Sequence, residues 1–315
     1  MLGPSELAIL QSVTYAALFD YPLTLAELHQ SSIGLNLDEA AIVRTYRASP
    51  ALRRAVEFRE GMFFPAGREH LLPERHRRKA WSLAFLQRHR LLLAAVCAIP
   101  YVRMVALSGS IAHLNMDGAG DLDLFIVTRG LHVWSVTVTV IVLAKLLRHR
   151  DVTCVNFVVS DSRLALEQHD LFTANQTIHL QPLVGVPVLH ELARANPFIA
   201  SFYPNWRPPE SPAFGFEQPA LTARLKSAVE YVCRIPAAAL EVVCRRAYAW
   251  HLRRRAGSWQ SPAQVRLEPD CLKLHTRSHR RSILDRFATA MSAALQTIDH
   301  VEPTRHPGFE RRAAP

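Results

Sequence analysis

The chain has 315 residues, of which 49% are hydrophobic and 20% are charged, and its glycines and prolines form no long tracts. This composition excludes extensive disorder and predicts globular domains with packed cores. The formal net charge of +10 favours polyanionic partners, such as nucleic acid, nucleotides or an anionic membrane surface.

Cysteine usage and hydropathy predict the cellular environment. The five cysteines are far apart and form no Cys-x-x-Cys pair, so neither a zinc ribbon nor a disulfide framework is indicated. The first residues lack the basic and apolar segments of a signal peptide. Residues 131–147 are mainly apolar but fall short of the roughly 20 strongly apolar residues of a membrane span. We therefore expect a cytoplasmic protein without a membrane partner.

Residues 1–72 are predicted to form a winged-helix-like region. Apolar residues at helical spacing predict a helix over 5–18. Thr24 and Glu27 fit a capping box at the start of a second helix, and a third helix is expected to begin near Asp38. Residues 55–64 fit two short strands with a turn at Glu60 and Gly61. Such a region can either read nucleic acid or pack against a protein partner.

A basic helix is expected next, over residues 73–98 of a linker that spans 73–100. Its second half is more apolar, which is typical of a helix that docks on a neighbouring domain. Residues 101–165 then predict a small sheet domain with strands at 102–107, 121–128 and 154–159 and a buried helix at 131–148. The β-branched residues of 133–142 leave a strand open as the alternative.

The rest of the chain is expected to be almost entirely helical over 166–302, with a flexible tail at 303–315. Asp170 is interpreted as a helix cap. His275 and His279 lie four residues apart and could bind metal or phosphate, but a basic surface is the favoured interpretation. Arg253 to Arg255, beside Trp250, could likewise contact a nucleic-acid backbone or form a charged helix end.

The most informative motif joins a Gly-Ser turn to a pair of aspartates. Residues two apart on a strand project from one face, so Asp121 and Asp123 present two carboxylates side by side. A divalent cation resolves their repulsion, and Mg²⁺ prefers one or two carboxylates together with phosphate oxygens. Gly109 lets a phosphate approach the backbone, and Ser110 can donate hydrogen bonds to it. These groups suit in-line attack on the α-phosphate of a nucleoside triphosphate.

This motif resembles the signature of the DNA polymerase β-like nucleotidyltransferase superfamily, in which an apolar strand ends in Gly-Ser and an acidic-apolar-acidic strand follows about ten residues later. Ala112 and Asn115 are similar to the Gly-Ser-x-Ala-x-x-Asn form of many bacterial members. The resemblance covers about residues 104–127. More loosely, residues 19–24 and 170–174 look like those of bacterial proteins that join a winged-helix-like N-terminus to such a domain.

The resemblance implies an α+β fold: a small mixed-sheet nucleotidyltransferase domain flanked by the winged-helix-like and helical regions. It also implies that Asp121 and Asp123 are catalytic and bind Mg²⁺ or Mn²⁺, and that Gly109, Ser110 and Asn115 bind the nucleotide. The implied reaction transfers a nucleoside monophosphate from an NTP to an unidentified acceptor, which could be RNA, protein or a small molecule.

One departure from the superfamily pattern opens an alternative. Members commonly have a third carboxylate on a later strand, where this chain has Asn156. Asp161, just past the end of that strand, is a candidate substitute. If neither position supports catalysis, the domain is an inactive binding or regulatory module that contacts nucleic acid through its basic surface or binds a partner protein.

Overall fold

The protein combines helices with two β-sheets. The computed structural model describes residues 2–118, 120–216, 218–274 and 279–299. Over these ranges a three-stranded sheet and a six-stranded mixed sheet are packed with helices, which confirms the predicted α+β class. Within the same ranges, no helix has the length and apolarity to cross a membrane. The predicted tail at 303–315 and His275 lie outside the described residues.

The N-terminal region follows the predicted order closely. Thr24 Oγ1 accepts a hydrogen bond from the Glu27 amide at 3.2 Å, and the Thr24 amide donates to Glu27 Oε2 at 2.8 Å, so the capping box is present. Asp38 caps the third helix as expected. A short helix that we did not predict begins after Ser49, whose hydroxyl caps it. The elements are α1 (Pro4–Ala17), β1 (Leu23–Thr24), α2 (Leu25–Gln30), α3 (Glu39–Ala48), α4 (Pro50–Ala55), β2 (Val56–Arg59) and β3 (Met62–Pro65).

The basic linker consists of two helices and not of the single helix predicted over 73–98. They are α5 (Leu71–Arg88) and α6 (Arg90–Cys97). The interruption is at His89, whose φ of −101° and ψ of 10° are not helical. Its ring Nδ1 lies 2.8 Å from the Phe85 carbonyl oxygen, which also accepts from the His89 backbone amide at 3.1 Å. Because no glycine or proline stands there, the sequence carries no ordinary break signal.

The central part of the large sheet agrees with the prediction for residues 101–165. Residues 133–142, for which a strand was the alternative, are helical. Burial of this helix outweighs the lower helix propensity of its β-branched residues. The elements are β4 (Val102–Leu107), α7 (Gly109–Ala112), β5 (Leu122–Thr128), α8 (Val133–Leu146) and β6 (Thr153–Ser160). β4 and β5 are antiparallel, whereas β5 and β6 are parallel. Consequently β4 ends at the edge of the sheet where β5 and β6 begin.

The expectation of an almost entirely helical region after residue 165 is wrong, because that region adds three strands to the same sheet. Each has only three or four residues, too few for a strand-like alternation to stand out. The strand order is β7-β4-β5-β6-β9-β8. The elements are α9 (Leu171–Ile178), β7 (Gln181–Val184), α10 (Val186–Ala195), α11 (Phe198–Phe202), α12 (Ala220–Val232), α13 (Arg234–Arg253), β8 (Val265–Leu267), β9 (Cys271–Leu274) and α14 (Arg280–Asp299).

Helices cover both faces of the large sheet. α6, α8 and part of α13 pack on one face, around the fully buried Trp134. α10 packs on the other through Val188, Leu189 and Leu192. The sheet is therefore rigidly held, and residues at the edge where β5 and β6 begin have fixed positions.

The last helix returns to the N-terminal region. Side chains of α14 join the core that α1, α2, α3 and α4 form, with Ile298 buried in it and Met291 and Ala294 packed against it. Phe287 packs edge-on against Tyr15, with ring centroids 5.2 Å apart. Whether residues 1–72 fold as a separate unit stays a prediction, but α14 completes their apolar core.

Candidate active site

The Gly-Ser turn and the aspartate pair form one site at the edge where β4 ends and β5 begins. The Ser108 amide donates to the Asp123 carbonyl oxygen at 2.9 Å, which holds the turn against the start of β5. Gly109 has a φ of +65°, a left-handed conformation that favours glycine. A Cβ at this position would also collide with the Asp123 carboxylate. The turn therefore needs glycine for two independent reasons.

The two carboxylates differ in their surroundings. Asp121 is exposed, as is Ser110, whereas Asp123 is half-buried. Burial, and secondly the neighbouring Asp121, raises the pKa of Asp123 to about 6. A cation between the carboxylates would remove this electrostatic penalty. Two hard oxygen donors beside an accessible serine fit Mg²⁺ or Mn²⁺, which complete their coordination with water and phosphate.

Asn156 occupies the position of the expected third carboxylate in space as well as in sequence. The register of β5 and β6 shifts between Leu124, opposite Val155, and Phe125, opposite Phe157, so Asn156 lies at a β-bulge. Its Nδ2 donates to Asp123 Oδ1 at 2.9 Å. The amide thus hydrogen-bonds a carboxylate oxygen instead of adding a negative charge.

Cys154 fixes the orientation of that amide. Its Sγ donates to Asn156 Oδ1 at 3.0 Å. Burial, together with the nearby Asp123, raises the pKa of the thiol to about 11, so the thiol stays protonated at neutral pH and remains a donor. With Oδ1 accepting from Cys154, the Asn156 nitrogen faces Asp123.

Asp161 does not reach the aspartate pair. Its amide donates to the carbonyl oxygen of Thr128, at the far end of β5. Five residues separate Thr128 from Asp123, about 17 Å along a strand. The Asp161 carboxylate accepts from the Gly130 amide at 2.9 Å and pairs with Arg103 at 3.3 Å. The structure therefore gives Asp161 a different local role and does not bring it to the site as a substitute.

Asn115, which the resemblance assigns to nucleotide binding, braces the loop after α7 in the structure. Its backbone N–H donates to the Ser110 carbonyl oxygen at 2.9 Å, and its side-chain Nδ2 donates to the Phe19 carbonyl oxygen at 2.8 Å. These bonds tie the Gly-Ser turn to the end of α1. Neither Ser110 nor Asn115 lines the cleft that contains the aspartates, although the sequence analysis expected both to bind the nucleotide. Both line a second cavity beside the turn, whereas Gly109 lines the cleft as well.

The aspartates line one wall of a cleft of about 570 Å³. Asp121, Asp123 and Asn156 lie on the sheet side. The loop 163–168, α9 and β9 contribute the remaining walls, which contain basic residues from distant parts of the chain. These are Arg163, Lys273, His279 and Arg280. The cleft therefore joins a pair of carboxylates to positive side chains that suit an anionic ligand.

Lys273 is a functional candidate that the sequence analysis missed. It lies on β9 opposite Phe157, and only 9% of it is exposed. Its Nζ donates to Gln168 Oε1 at 3.0 Å and lies 5.5 Å from the centre of the Phe157 ring. Burial lowers its pKa, because desolvation opposes the charged form. Gln168 accepts this hydrogen bond but carries no charge. A bound phosphate would give the Lys273 ammonium group an anionic partner.

The two arginines of the cleft are held by acidic neighbours. Arg163 pairs with Glu268 and, at 2.9 Å, with Asp270, while Arg280 pairs with Asp170. Asp170 also caps α9, as predicted, by accepting from the Thr173 amide at 2.8 Å. The one sequence signal for Lys273 is a single charge inside the apolar stretch 271–274, which is weak by itself.

Comparisons with protein-family models, with curated proteins and with solved structures found no match for this chain. Among the residues that the structure describes, no group of three or more histidine, cysteine or acidic side chains could hold a metal ion. The site is instead defined by its two carboxylates, its Gly-Ser turn and the basic wall opposite them.

Proposed function

We propose that the protein is a Mg²⁺- or Mn²⁺-dependent nucleotidyltransferase that transfers a nucleoside monophosphate from an NTP to an unidentified acceptor hydroxyl. The observation that carries the proposal is the contact between Gly109 and the Asp123 carboxylate. It places the glycine turn directly beside the two carboxylates within one cleft. The resemblance of residues 104–127 to the DNA polymerase β-like superfamily supports the same reaction.

The roles of the residues follow from their positions. Asp121 and Asp123 would hold the cation, which would supply positive charge to neutralise the phosphates. The backbone of the turn at Gly109, which lines the cleft, donates to the phosphates, and Lys273 binds the anionic end of the triphosphate. The acceptor oxygen bonds to the α-phosphorus, and the bond to the bridging oxygen of the β-phosphate breaks. Pyrophosphate leaves with that oxygen. The hydroxyl proton passes to solvent, since the Asn156 amide is not a base.

Asn156 also favours a second candidate function, an inactive nucleotidyltransferase fold that serves as a binding module. Its hydrogen bond to Asp123 engages an oxygen that a second cation would otherwise use. In this case the winged-helix-like region and the basic surface would contact nucleic acid or a partner protein. Retention of both aspartates beside the glycine turn favours the enzyme.

The experiment is transfer of label from α-labelled ATP, GTP, CTP or UTP to host lysate, with Mg²⁺ or Mn²⁺. We expect labelled product from the wild type and none from Asp123→Asn, which keeps the size of the side chain but removes its charge. Asp161→Asn, the same substitution at the other end of the strand, should retain transfer. Asn156→Asp should increase transfer if the third position is only weakened.

The opposite result is equally informative. If the wild type transfers nothing with any of the four NTPs, yet binds duplex DNA with a steep salt dependence, the binding module is the better description. Equal Mg²⁺-dependent NTP binding by wild type and by an Asp121→Ala, Asp123→Ala double variant, measured by calorimetry, would contradict the assignment of these residues.

A further inference from the structure

A second cavity of about 260 Å³ lies beside the Gly-Ser turn, between α1, the loop after α7 and α9. We call it the inner cavity. Gly109 and Gln176 line both the inner cavity and the aspartate cleft, so the two spaces adjoin at the turn. Aromatic and amide side chains form much of its wall: Tyr15, Phe19, Tyr21, His113, Asn115, Asn175, Gln176, His179 and Tyr203.

The wall of the inner cavity is largely uncharged. The rings of His113 and His179 are 4.1 Å apart. Burial lowers the pKa of His113 to about 4 and that of His179 well below its usual value, so both rings are neutral at pH 7. The charged lining residues are Arg78, which pairs with Glu74 at 2.8 Å, and the exposed Asp117. Such a wall favours a neutral, planar ligand over an ionic one.

Two buried polar atoms in this wall have no hydrogen-bond partner in the described part of the chain: the Tyr15 hydroxyl and Asn115 Oδ1. Tyr15 is 2% exposed and Asn115 is 8% exposed. Because Asn115 Nδ2 donates to Phe19, the remaining Oδ1 can only accept. Buried polar atoms are nearly always paired in folded proteins. Two unpaired atoms in one cavity therefore indicate that a ligand supplies an N–H donor to Asn115 and a partner to Tyr15.

We propose that the inner cavity binds a nucleobase, an uncharged planar nitrogen heterocycle that carries an N–H donor. The size is suitable, because a cavity of about 150 Å³ already admits a benzene ring. The aromatic walls contact the ring faces, while Asn115 and Tyr15 bind its polar edge. The N-terminal region thus becomes a substrate-binding element.

The nucleobase in the inner cavity can belong to either of two molecules. This part of the inference rests on the proposed function. One is the base of the NTP whose phosphates occupy the aspartate cleft. The other is the base of a nucleoside-containing acceptor. Both place the same ring chemistry in the inner cavity, and a competition experiment distinguishes them.

The test is calorimetric titration of the full chain with adenosine, guanosine, cytidine and uridine in the absence of metal. At least one nucleoside should bind the wild type, and Tyr15→Phe should weaken that binding about tenfold by removing one hydrogen bond. The matched control is Tyr46→Phe, whose hydroxyl donates to the Val56 carbonyl oxygen outside the cavity. It should leave the affinity unchanged.

A thermal melt separates ligand binding from a structural role. Without nucleoside, Tyr15→Phe should be at least as stable as the wild type, because its hydroxyl has no partner within the described residues. Loss of stability together with unchanged nucleoside affinity would overturn the proposal. So would the failure of all four nucleosides to bind.

An Asp123→Asn variant keeps this test independent of the proposed reaction. It should retain nucleoside binding, even if transfer activity is never found, because Asp123 does not line the inner cavity. Displacement of the bound nucleoside by the matching NTP would assign the cavity to the NTP base. Simultaneous binding of both would assign it to an acceptor.

Discussion

Gly109 and Asp123 constrain each other at the scale of single residues. The left-handed turn at Gly109 brings backbone atoms so close to the Asp123 carboxylate that no side chain fits between them. A substitution at Gly109 would therefore disturb the turn and the Asp123 carboxylate together. The sequence could predict this pairing, because both halves lie within a short stretch of adjacent strands.

The charge of Asp123 destabilises the metal-free protein, so we expect Asp123→Asn to raise its free energy of unfolding at pH 7. The native pKa of about 6 exceeds the usual aspartate value of 3.8, so the folded state holds the proton more tightly than the unfolded state. The stabilisation that this tighter proton binding gives the folded state is fully present below pH 3.8 and is lost as the pH rises through 6. The increase should be roughly 1 to 3 kcal/mol at pH 7 and should shrink towards pH 4.

Urea denaturation at pH 7 and pH 4, in buffer with a metal chelator, measures the effect of Asp123→Asn. Asp161→Asn provides the contrast, since Asp161 accepts a hydrogen bond from the Gly130 amide and pairs with Arg103. That variant should be less stable than the wild type. A less stable Asp123→Asn protein at pH 7 would show that the carboxylate makes a net favourable contribution in the absence of metal.

Lys273 shows why the rest of the site could not be predicted. It reaches the wall of the aspartate cleft through the pairing of β9 with β6, across more than one hundred residues of chain. Nothing in the short segment around Lys273 specifies that pairing. Asp161 illustrates the converse, because its proximity in sequence to Asn156 suggested a contact that the direction of the strand excludes.

At the scale of secondary structure, α8 depends on a cap from another helix. Its N-cap residue, His132, makes no side-chain capping bond. Glu241 of α13 accepts instead from the amides of Trp134 and Ser135, at 2.9 and 2.7 Å. A carboxylate at the N-terminus of a helix also interacts favourably with the positive end of the helix dipole. The helix at 131–148 was predictable from its apolar pattern, but this cap was not, because local capping rules consider only neighbouring residues.

We expect Glu241→Ala to lower the free energy of unfolding by about 2 to 4 kcal/mol, because it leaves buried amide donors unpaired. Glu241 is 7% exposed, so solvent cannot easily replace its oxygens. Glu39→Ala, in the exposed first turn of α3, is the control and should change stability by less than about 0.5 kcal/mol. Chemical denaturation followed by circular dichroism measures both. Equal effects would contradict the capping role.

At the scale of the whole molecule, the two ends of the described chain share one core. Ile298 is buried against the N-terminal helices, and Arg54 donates to its carbonyl oxygen at 3.2 Å. The helical pattern of 280–295 was visible in the sequence. Its packing partner was not, because an amphipathic face indicates burial without naming the surface that covers it.

Ile298→Ala should destabilise the N-terminal region by about 2 to 4 kcal/mol, since it leaves a cavity in the shared core. Leu295→Ala, on the same helix but 37% exposed, is the matched control and should cost less than about 1 kcal/mol. Hydrogen exchange locates the effect. Faster exchange in α1 and α3 is expected for Ile298→Ala alone, whereas unchanged exchange there would show that α14 contributes little to that core.

The return of α14 also has a consequence for biosynthesis. A ribosome makes α1 roughly 280 residues before Ile298, a delay of about 15 to 55 seconds at 5 to 20 residues per second. During that interval, the apolar side chains that α14 later covers are open to water and to other nascent chains. α1 to α4 are thus made well before their core can be completed, which happens only when α14 has been translated.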